Sequence, residues 1–128
     1  MTLTLRQTLY AQRLKDHLAH AHSLYASGDY VQTGEKIWGA LSALINSRSL
    51  VDVKSPNDKK TCFVSLFNAY NNRTPSLFSQ MRTLGFRSAE EVFDAIYGLH
   101  KFFYGGTNYT PAQLQQRLPF FIDLLDNL

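Results

Sequence analysis

Residues 28–49 constrain the fold more than any other stretch, because they carry both the start signal and the apolar face of one long helix. Asp29 stands at an N-cap position and Gln32 follows three residues later, which predicts a capping box. Apolar residues and one glycine then recur at the spacing that places them on one helix face. These residues are Val31, Gly34, Ile37, Trp38, Leu41, Leu44 and Ile45. Gly34 and Gly39 each cost about 1 kcal/mol relative to alanine in a helix, so we expect a neighbouring helix to approach closely there.

A second long helix is predicted before this one, over residues 3–26. Its inward face consists of Tyr10, Leu14, Leu18, Ala21 and Tyr25. Only Ser27 and Gly28 separate this helix from the Asp29 cap. Two helices joined by so short a link have to fold back on each other, so the sequence predicts an antiparallel helical hairpin.

Shorter helices are predicted after the hairpin. Residues 49–58 have the composition of a loop, and apolar side chains recur at helical spacing over residues 58–71. These side chains are Phe63, Leu66, Phe67 and Tyr70. A short strand over residues 62–67 is the alternative, which we disfavour because nothing nearby offers a partner strand. A further helix is predicted over residues 75–84, where a Thr-Pro pair supplies the start and Gly85 the end.

Two later helices have capping boxes of their own. Ser88 and Glu91 open a helix that stops at the following glycine pair. Its inward residues are Val92, Phe93, Ile96, Leu99 and Phe103. Thr110 and Gln113 open the last helix, which Pro119 is expected to kink or split because its ring removes one backbone hydrogen bond.

The final segment, residues 120–128, is apolar on nearly every side. Its apolar residues are Phe120, Phe121, Ile122, Leu124, Leu125 and Leu128. They cannot all face the core of one monomer by helical periodicity alone. Two interpretations stand: the segment is wedged between helices, or it meets another subunit. The second interpretation predicts a homodimer.

Composition limits the class of protein. A chain of 128 residues fits one domain, residues 1–128, and 45% hydrophobic content excludes a disordered chain. No apolar run approaches the roughly 20 residues of a membrane span. The lone Cys62 and the lack of a signal pattern at the start predict a cytoplasmic protein. Together with the helices predicted above, these features predict an all-α bundle of five to six helices, with no membrane segment and no cofactor.

Two blocks of sequence resemble the archaeal PaREP family. In that family a Gly-Asp-Tyr turn opens a helix rich in Glu-Lys, Trp and Ala, as in GDYVQTGEKIWGALSALI at residues 28–45. The matching positions are Gly28, Asp29, Tyr30, Glu35, Lys36, Trp38, Gly39 and Ala40. The later LHKFFYGG is similar to the family's Leu-His-x-Asn-Phe-Tyr-Glu, through Leu99, His100, Phe103 and Tyr104. Phe102 stands there in place of Asn, and Gly105 in place of Glu.

The PaREP family is similar to the HEPN superfamily (higher eukaryote and prokaryote nucleotide-binding), whose fold is an up-and-down helical bundle that commonly dimerises. Some members are toxin ribonucleases and others are inactive binding partners. The resemblance therefore implies a homodimeric binding or accessory module. Its expected ligands are nucleotides or RNA, and its expected partner is a cognate protein in a toxin–antitoxin-like pair.

The motif of the active ribonucleases is missing where it is expected. Those enzymes use an Arg-x4–6-His pair late in the bundle, and His100 is the only late histidine of this chain. No arginine lies among residues 94–99. Arg13 and His20 have the spacing, but they belong to the first helix, where two common residue types match easily by chance. We therefore expect no enzyme activity. The alternatives are a ribonuclease with an atypical site around His100, or a purely structural dimeric partner.

Five residues are the candidates for a polar or ligand site. They are His100, Lys101, Tyr104, Glu35 and Arg73. His100 followed by Lys101, with Tyr104 one helical turn on, offers an imidazole, a cation and an aromatic ring on neighbouring positions.

Each of these candidates has a structural alternative. Glu35 could form a binding edge with Trp38 as a stacking platform, although a tryptophan on an apolar stripe is more often core. Arg73 could line an anion site with Arg82 and Arg87, or each could be a solvated charge. The histidines at 17, 20 and 22 lack the companion carboxylate of a zinc motif, so we predict no metal site.

Overall fold

The computed structural model describes residues 3–71, 75–105 and 109–128. Those residues form six helices and no strand: α1 (Leu5–Ala26), α2 (Tyr30–Ser47), α3 (Pro56–Asn71), α4 (Pro75–Thr83), α5 (Ala89–Phe103) and α6 (Pro111–Asn127). The predicted all-α fold is confirmed. The alternative of a strand over residues 62–67 is wrong, because this segment is part of α3. None of the helices in the described ranges has the length and apolar character needed to cross a bilayer.

The predicted caps hold their helices, with two differences in detail. The Asp29 carboxylate accepts a hydrogen bond from the Gln32 N–H at 3.1 Å, but no return bond from the Gln32 side chain is found among the described residues. Before α5, the Glu91 carboxylate accepts from the Arg87 N–H at 3.0 Å and not from Ser88. Its charge therefore still lies at the positive end of the helix. The predicted box before α6 is complete in both directions.

The α1–α2 hairpin forms as predicted and provides the most extensive helix pair of the described chain. Gly28 makes the turn with φ of +84°, a conformation that residues with side chains rarely adopt. Along α2 the predicted apolar face is buried, with one exception. Val31 is 39% exposed, because it lies in the first turn of α2, one turn ahead of the first close contact with α5.

Both helical glycines of α2 lie at close approaches, as predicted. A Cβ added at Gly34 would lie 3.2 Å from Leu99 Cβ of α5. A Cβ added at Gly39 would lie 3.1 Å from the His17 ring of α1. Glycine therefore lets α2 pack tightly against α5 on one side and α1 on the other, and the first of these contacts positions the site described below.

Helix α6 continues through Pro119, so the predicted split is wrong. Because proline has no N–H, the carbonyl four residues before it lacks its usual helical donor. For Pro119 the orphaned carbonyl is that of Gln115. The Tyr25 hydroxyl of α1 donates to that carbonyl at 3.1 Å. The contact supplies the missing donor and ties α6 to α1.

The apolar end of α6 is wedged between helices of its own chain. Phe120, Phe121, Ile122, Leu124 and Leu125 are each at most 4% exposed, and Leu128 is half-buried. Phe86, which follows α4, packs on the rings of both phenylalanines, with centroids 6.2 Å and 5.8 Å away. The wedged interpretation is confirmed, and the surface on which the homodimer prediction rested is buried within the monomer.

Candidate functional site

The crossing of α2 and α5 brings together two residues that the sequence analysis had singled out for different reasons. Gly34 contacts Leu99, and the next residue of each helix is Glu35 and His100. The His100 Nδ1 atom lies 2.9 Å and 3.2 Å from the two Glu35 carboxylate oxygens. Because an ionised carboxylate only accepts hydrogen bonds, this contact places a proton on Nδ1 and orients the imidazole.

Aromatic rings surround the imidazole of His100. Trp38 stacks on it with a centroid distance of 5.3 Å, and Tyr97 lies nearly parallel at 6.1 Å. Tyr104 meets it edge-on at 5.1 Å. Trp38 is only 8% exposed, whereas Tyr104 is 71% exposed. Trp38 is therefore both a core residue and the floor of this site, and Tyr104 presents its ring to solvent.

Two lysines complete the site. The Lys59 ammonium of α3 lies 5.0 Å from the centre of the Trp38 ring, and the Lys101 ammonium lies 4.6 Å from that of Tyr97. Partial burial lowers the pKa of Lys59. Neither lysine forms an ion pair with another described residue, whereas Lys60 is bound to Asp94 at 2.9 Å. We call the following set the His100 cluster: Glu35, Trp38, Lys59, Tyr97, His100, Lys101 and Tyr104.

Lys59 and Tyr97 were missed in the sequence. Tyr97 lies one turn before His100 on the same helix, and that spacing could have indicated it. Lys59 precedes the apolar part of α3 and resembles a loop charge in sequence. It reaches Trp38 of α2 because α3 packs against both α2 and α5. No local pattern carries that information.

Other candidates lie elsewhere. Arg73 falls outside the described residues. Arg82 lies over the Phe78 ring of its own helix at 5.1 Å, and the exposed Arg87 precedes the cap of α5. Lys36 faces α1, where its positive charge helps to lower the pKa of His17. The structure describes only two of the three arginines of the predicted anion site, so that site stays a prediction.

His17 is a packing residue at the α1–α2 interface. Its ring fills the space beside Gly39, and its Nδ1 atom is buried with no hydrogen-bond partner among the described residues. Desolvation by burial is the main cause of its lowered pKa. His20 and His22 point to solvent, and the described residues include no group of three or more potential metal ligands.

The His100 cluster combines three chemical capacities within one surface. The exposed Tyr104 ring can stack on a planar ligand, and the Lys59 and Lys101 ammonium groups can bind an anion. An imidazole held through Nδ1 keeps Nε2 for hydrogen bonding or proton transfer.

The family model described as the archaeal PaREP1/PaREP8 family matches residues 9–124 of the chain. Neither the curated proteins nor the solved structures include a match to the chain.

Proposed function

The chain belongs to the archaeal PaREP1/PaREP8 family, and we propose that it is a single-domain binding module whose His100 cluster binds nucleotides or RNA. The observation that carries the proposal is the contact between Glu35 and His100, which fixes an imidazole among aromatic rings and two lysines that form no ion pair with a described residue.

Tyr104 supplies the stacking surface. Its ring contacts His100 at 5.1 Å and Phe103 at 4.9 Å, and at 71% exposure it is still the most exposed aromatic side chain of the described residues, with surface available to a base. Stacking of a nucleic acid base on an aromatic side chain is worth about 1–3 kcal/mol and tolerates any base. The cluster therefore suits a single-stranded or free nucleotide better than a duplex.

Lys59 and Lys101 supply the cationic surface for phosphate. They come from different helices and lie on adjacent aromatic rings, Trp38 and Tyr97, whose centroids are 5.1 Å apart. A nucleotide stacked on Tyr104 would direct its phosphate toward them. The Glu35 carboxylate is held at His100 Nδ1. Its one negative charge is outnumbered by the two positive charges of Lys59 and Lys101.

A second function, ribonuclease activity, is favoured by the orientation of His100. With the proton on Nδ1, the Nε2 atom can accept the proton of an RNA 2′-hydroxyl as its oxygen attacks the adjacent phosphorus. The bond from phosphorus to the 5′-oxygen then breaks, that oxygen takes the proton back from Nε2–H directly or through water, and a 2′,3′-cyclic phosphate is left. Lys59 and Lys101 would stabilise the negative phosphorane. Binding remains our conclusion, since the arginine of the Arg-x4–6-His pair is absent here.

The wider assignment rests on resemblance. We place the PaREP fold in the HEPN superfamily and propose a cytoplasmic module that acts with a cognate partner in a toxin–antitoxin-like pair. The all-helical fold and the LHKFFYGG block that contains His100 support this placement. The proposed homodimer has lost its apolar basis at α6, so sedimentation at tens of micromolar is its test, with a monomer as the refuting result.

The proposal can be tested with the fluorescence of Trp38, the only tryptophan of the chain. We expect ATP and a short oligouridylate to change its emission, with an affinity that falls as salt rises. Tyr104→Ala should weaken binding roughly 5- to 150-fold, which corresponds to one lost base stack. Lys101→Ala should lower the salt slope by about one. Lys54→Ala, which removes a lysine from the loop before α3, is the matched control.

Three outcomes separate the hypotheses. Equal binding by Tyr104→Ala and Lys54→Ala would place the ligand elsewhere, and no salt-dependent binding at all would leave a purely structural partner. RNA cleavage by the wild type that His100→Ala abolishes would establish the ribonuclease.

A further inference from the structure

A groove separate from the His100 cluster lies between α4 and α6. It encloses about 620 Å³, which falls within the range of roughly 300–1,000 Å³ typical of small-molecule sites. None of the cluster residues lines it.

The groove has a firm apolar floor. Leu84, Pro119 and Phe120 form this floor, and Phe120 is itself only 4% exposed. The chain turns at Gly85 with φ of +90° and then inserts Phe86 against the Phe120 ring. Both walls are therefore anchored to the core, and the groove is preformed in the monomer.

The polar rim of the groove has one charge among its described lining residues. Gln80 of α4 and Gln116 of α6 contribute amides, and the exposed Asp123 is the one ionisable residue of that described lining. The Asp123 carboxylate has no ion pair or hydrogen bond with another described side chain. By contrast, Asp52 and Asp94 are each bound to a basic side chain.

This charge decides which ligand suits the groove. A carboxylate beside an apolar floor attracts a cation with an apolar body and repels an anion. A planar amidinium or guanidinium could form two parallel hydrogen bonds to Asp123. Its remaining N–H groups could bind the amide oxygens of Gln80 and Gln116, and its ring could lie on Pro119 and Phe120.

We infer that the groove between α4 and α6 is a second binding site, which takes a small organic cation with a flat apolar body. This site differs from the proposed nucleotide site in both location and charge preference. The two lysines disfavour this cation at the His100 cluster, and Asp123 disfavours a nucleotide phosphate in the groove.

Benzamidine is the probe for this inference, with neutral benzamide and anionic benzoate as its matched analogues. We expect millimolar benzamidine to perturb the backbone amide signals of α4 and α6 in heteronuclear NMR spectra of the full chain. Its affinity should exceed that of benzamide at least about tenfold, since a charge-assisted hydrogen-bonded pair is lost in the neutral analogue. Benzoate should not bind.

Three variants locate the site. Asp123→Asn should bring benzamidine down to the affinity of benzamide, whereas Asp126→Asn, which makes the same charge change outside this groove, should leave it unaltered. Ser79→Phe should block the groove without changing the charge, and circular dichroism verifies that each variant is folded. Equal binding of benzamidine and benzamide, equal effects of the two aspartate variants, or no perturbation by any probe would each overturn the inference.

Discussion

Gly34→Ala and Gly39→Ala make the same chemical change in the same helix, but we expect them to change the free energy of unfolding differently. In a helix interior alanine is favoured over glycine by about 1 kcal/mol at either position. The difference between them comes from what the added methyl group meets. At Gly34 it would lie 3.2 Å from Leu99 Cβ, and at Gly39 it would lie 3.1 Å from the His17 ring.

The kind of neighbouring atom decides the sign. Leu99 Cβ is fixed to the backbone of α5, so α2 and α5 would have to move apart by a few tenths of an ångström to reach an ordinary contact. Such overpacking costs about 1–3 kcal/mol, which exceeds the gain in helix propensity. The His17 ring is the far end of a half-buried side chain and can shift instead. The gain in propensity is common to both variants, so Gly34→Ala should be less stable than Gly39→Ala by the overpacking cost of about 1–3 kcal/mol.

Urea unfolding followed by circular dichroism measures this difference as a shift in midpoint at unchanged slope. Gly34→Ala should also weaken nucleotide binding, because separating α2 from α5 moves Glu35 away from His100. A Gly34→Ala protein as stable as Gly39→Ala would refute the tight crossing on which the geometry of the site depends.

Three further predictions concern stability. Tyr25→Phe removes the protein donor to the Gln115 carbonyl and should lower the free energy of unfolding in urea by about 0.5–1.5 kcal/mol. No loss would mean that water already donates to that carbonyl. Phe121→Ala should cost about 3–5 kcal/mol, against at most about 0.5 kcal/mol for the exposed Leu5→Ala, and similar losses would contradict the wedged α6. Because the pKa of His17 is lower in the folded than in the unfolded chain, its contribution to stability is complete above the unfolded value of 6.5 and is lost as pH falls below it. The wild type should therefore lose more stability than His17→Gln between pH 7 and 5, and parallel pH profiles would exclude this role.

Local signals predicted the helices well. Asp29, Ser88 and Thr110 each cap the helix that follows, because a cap depends on residues three positions apart. The hairpin is likewise a local feature, because it depends on the two-residue link between α1 and the Asp29 cap. Val31 was misplaced because a periodic pattern does not show where the neighbouring helix ends.

Features that depend on packing were predicted less completely. The sequence left two interpretations for the end of α6. The burial of Phe120 and Phe121 against Phe86 decides between them. The split at Pro119 was wrong, since its orphaned carbonyl finds a donor 90 residues away in Tyr25. That partner has no local signature.

The site shows the same division. His100 and Glu35 were candidates from separate motifs, but their contact depends on the crossing of Gly34 and Leu99. Lys59 joins them from a third helix. The residue types of a site can thus be predicted from one sequence, whereas their assembly requires the packing of three helices.

Chemical-shift mapping of the full chain with a short oligouridylate is the most direct test of the His100 cluster. We predict that the largest shifts fall on the Trp38 indole N–H and on the backbone amides of Tyr97, His100, Lys101 and Tyr104, and that they shrink as salt is raised. Saturable shifts confined to α1 or to the α4–α6 groove, with the cluster unmoved, would contradict the proposed function.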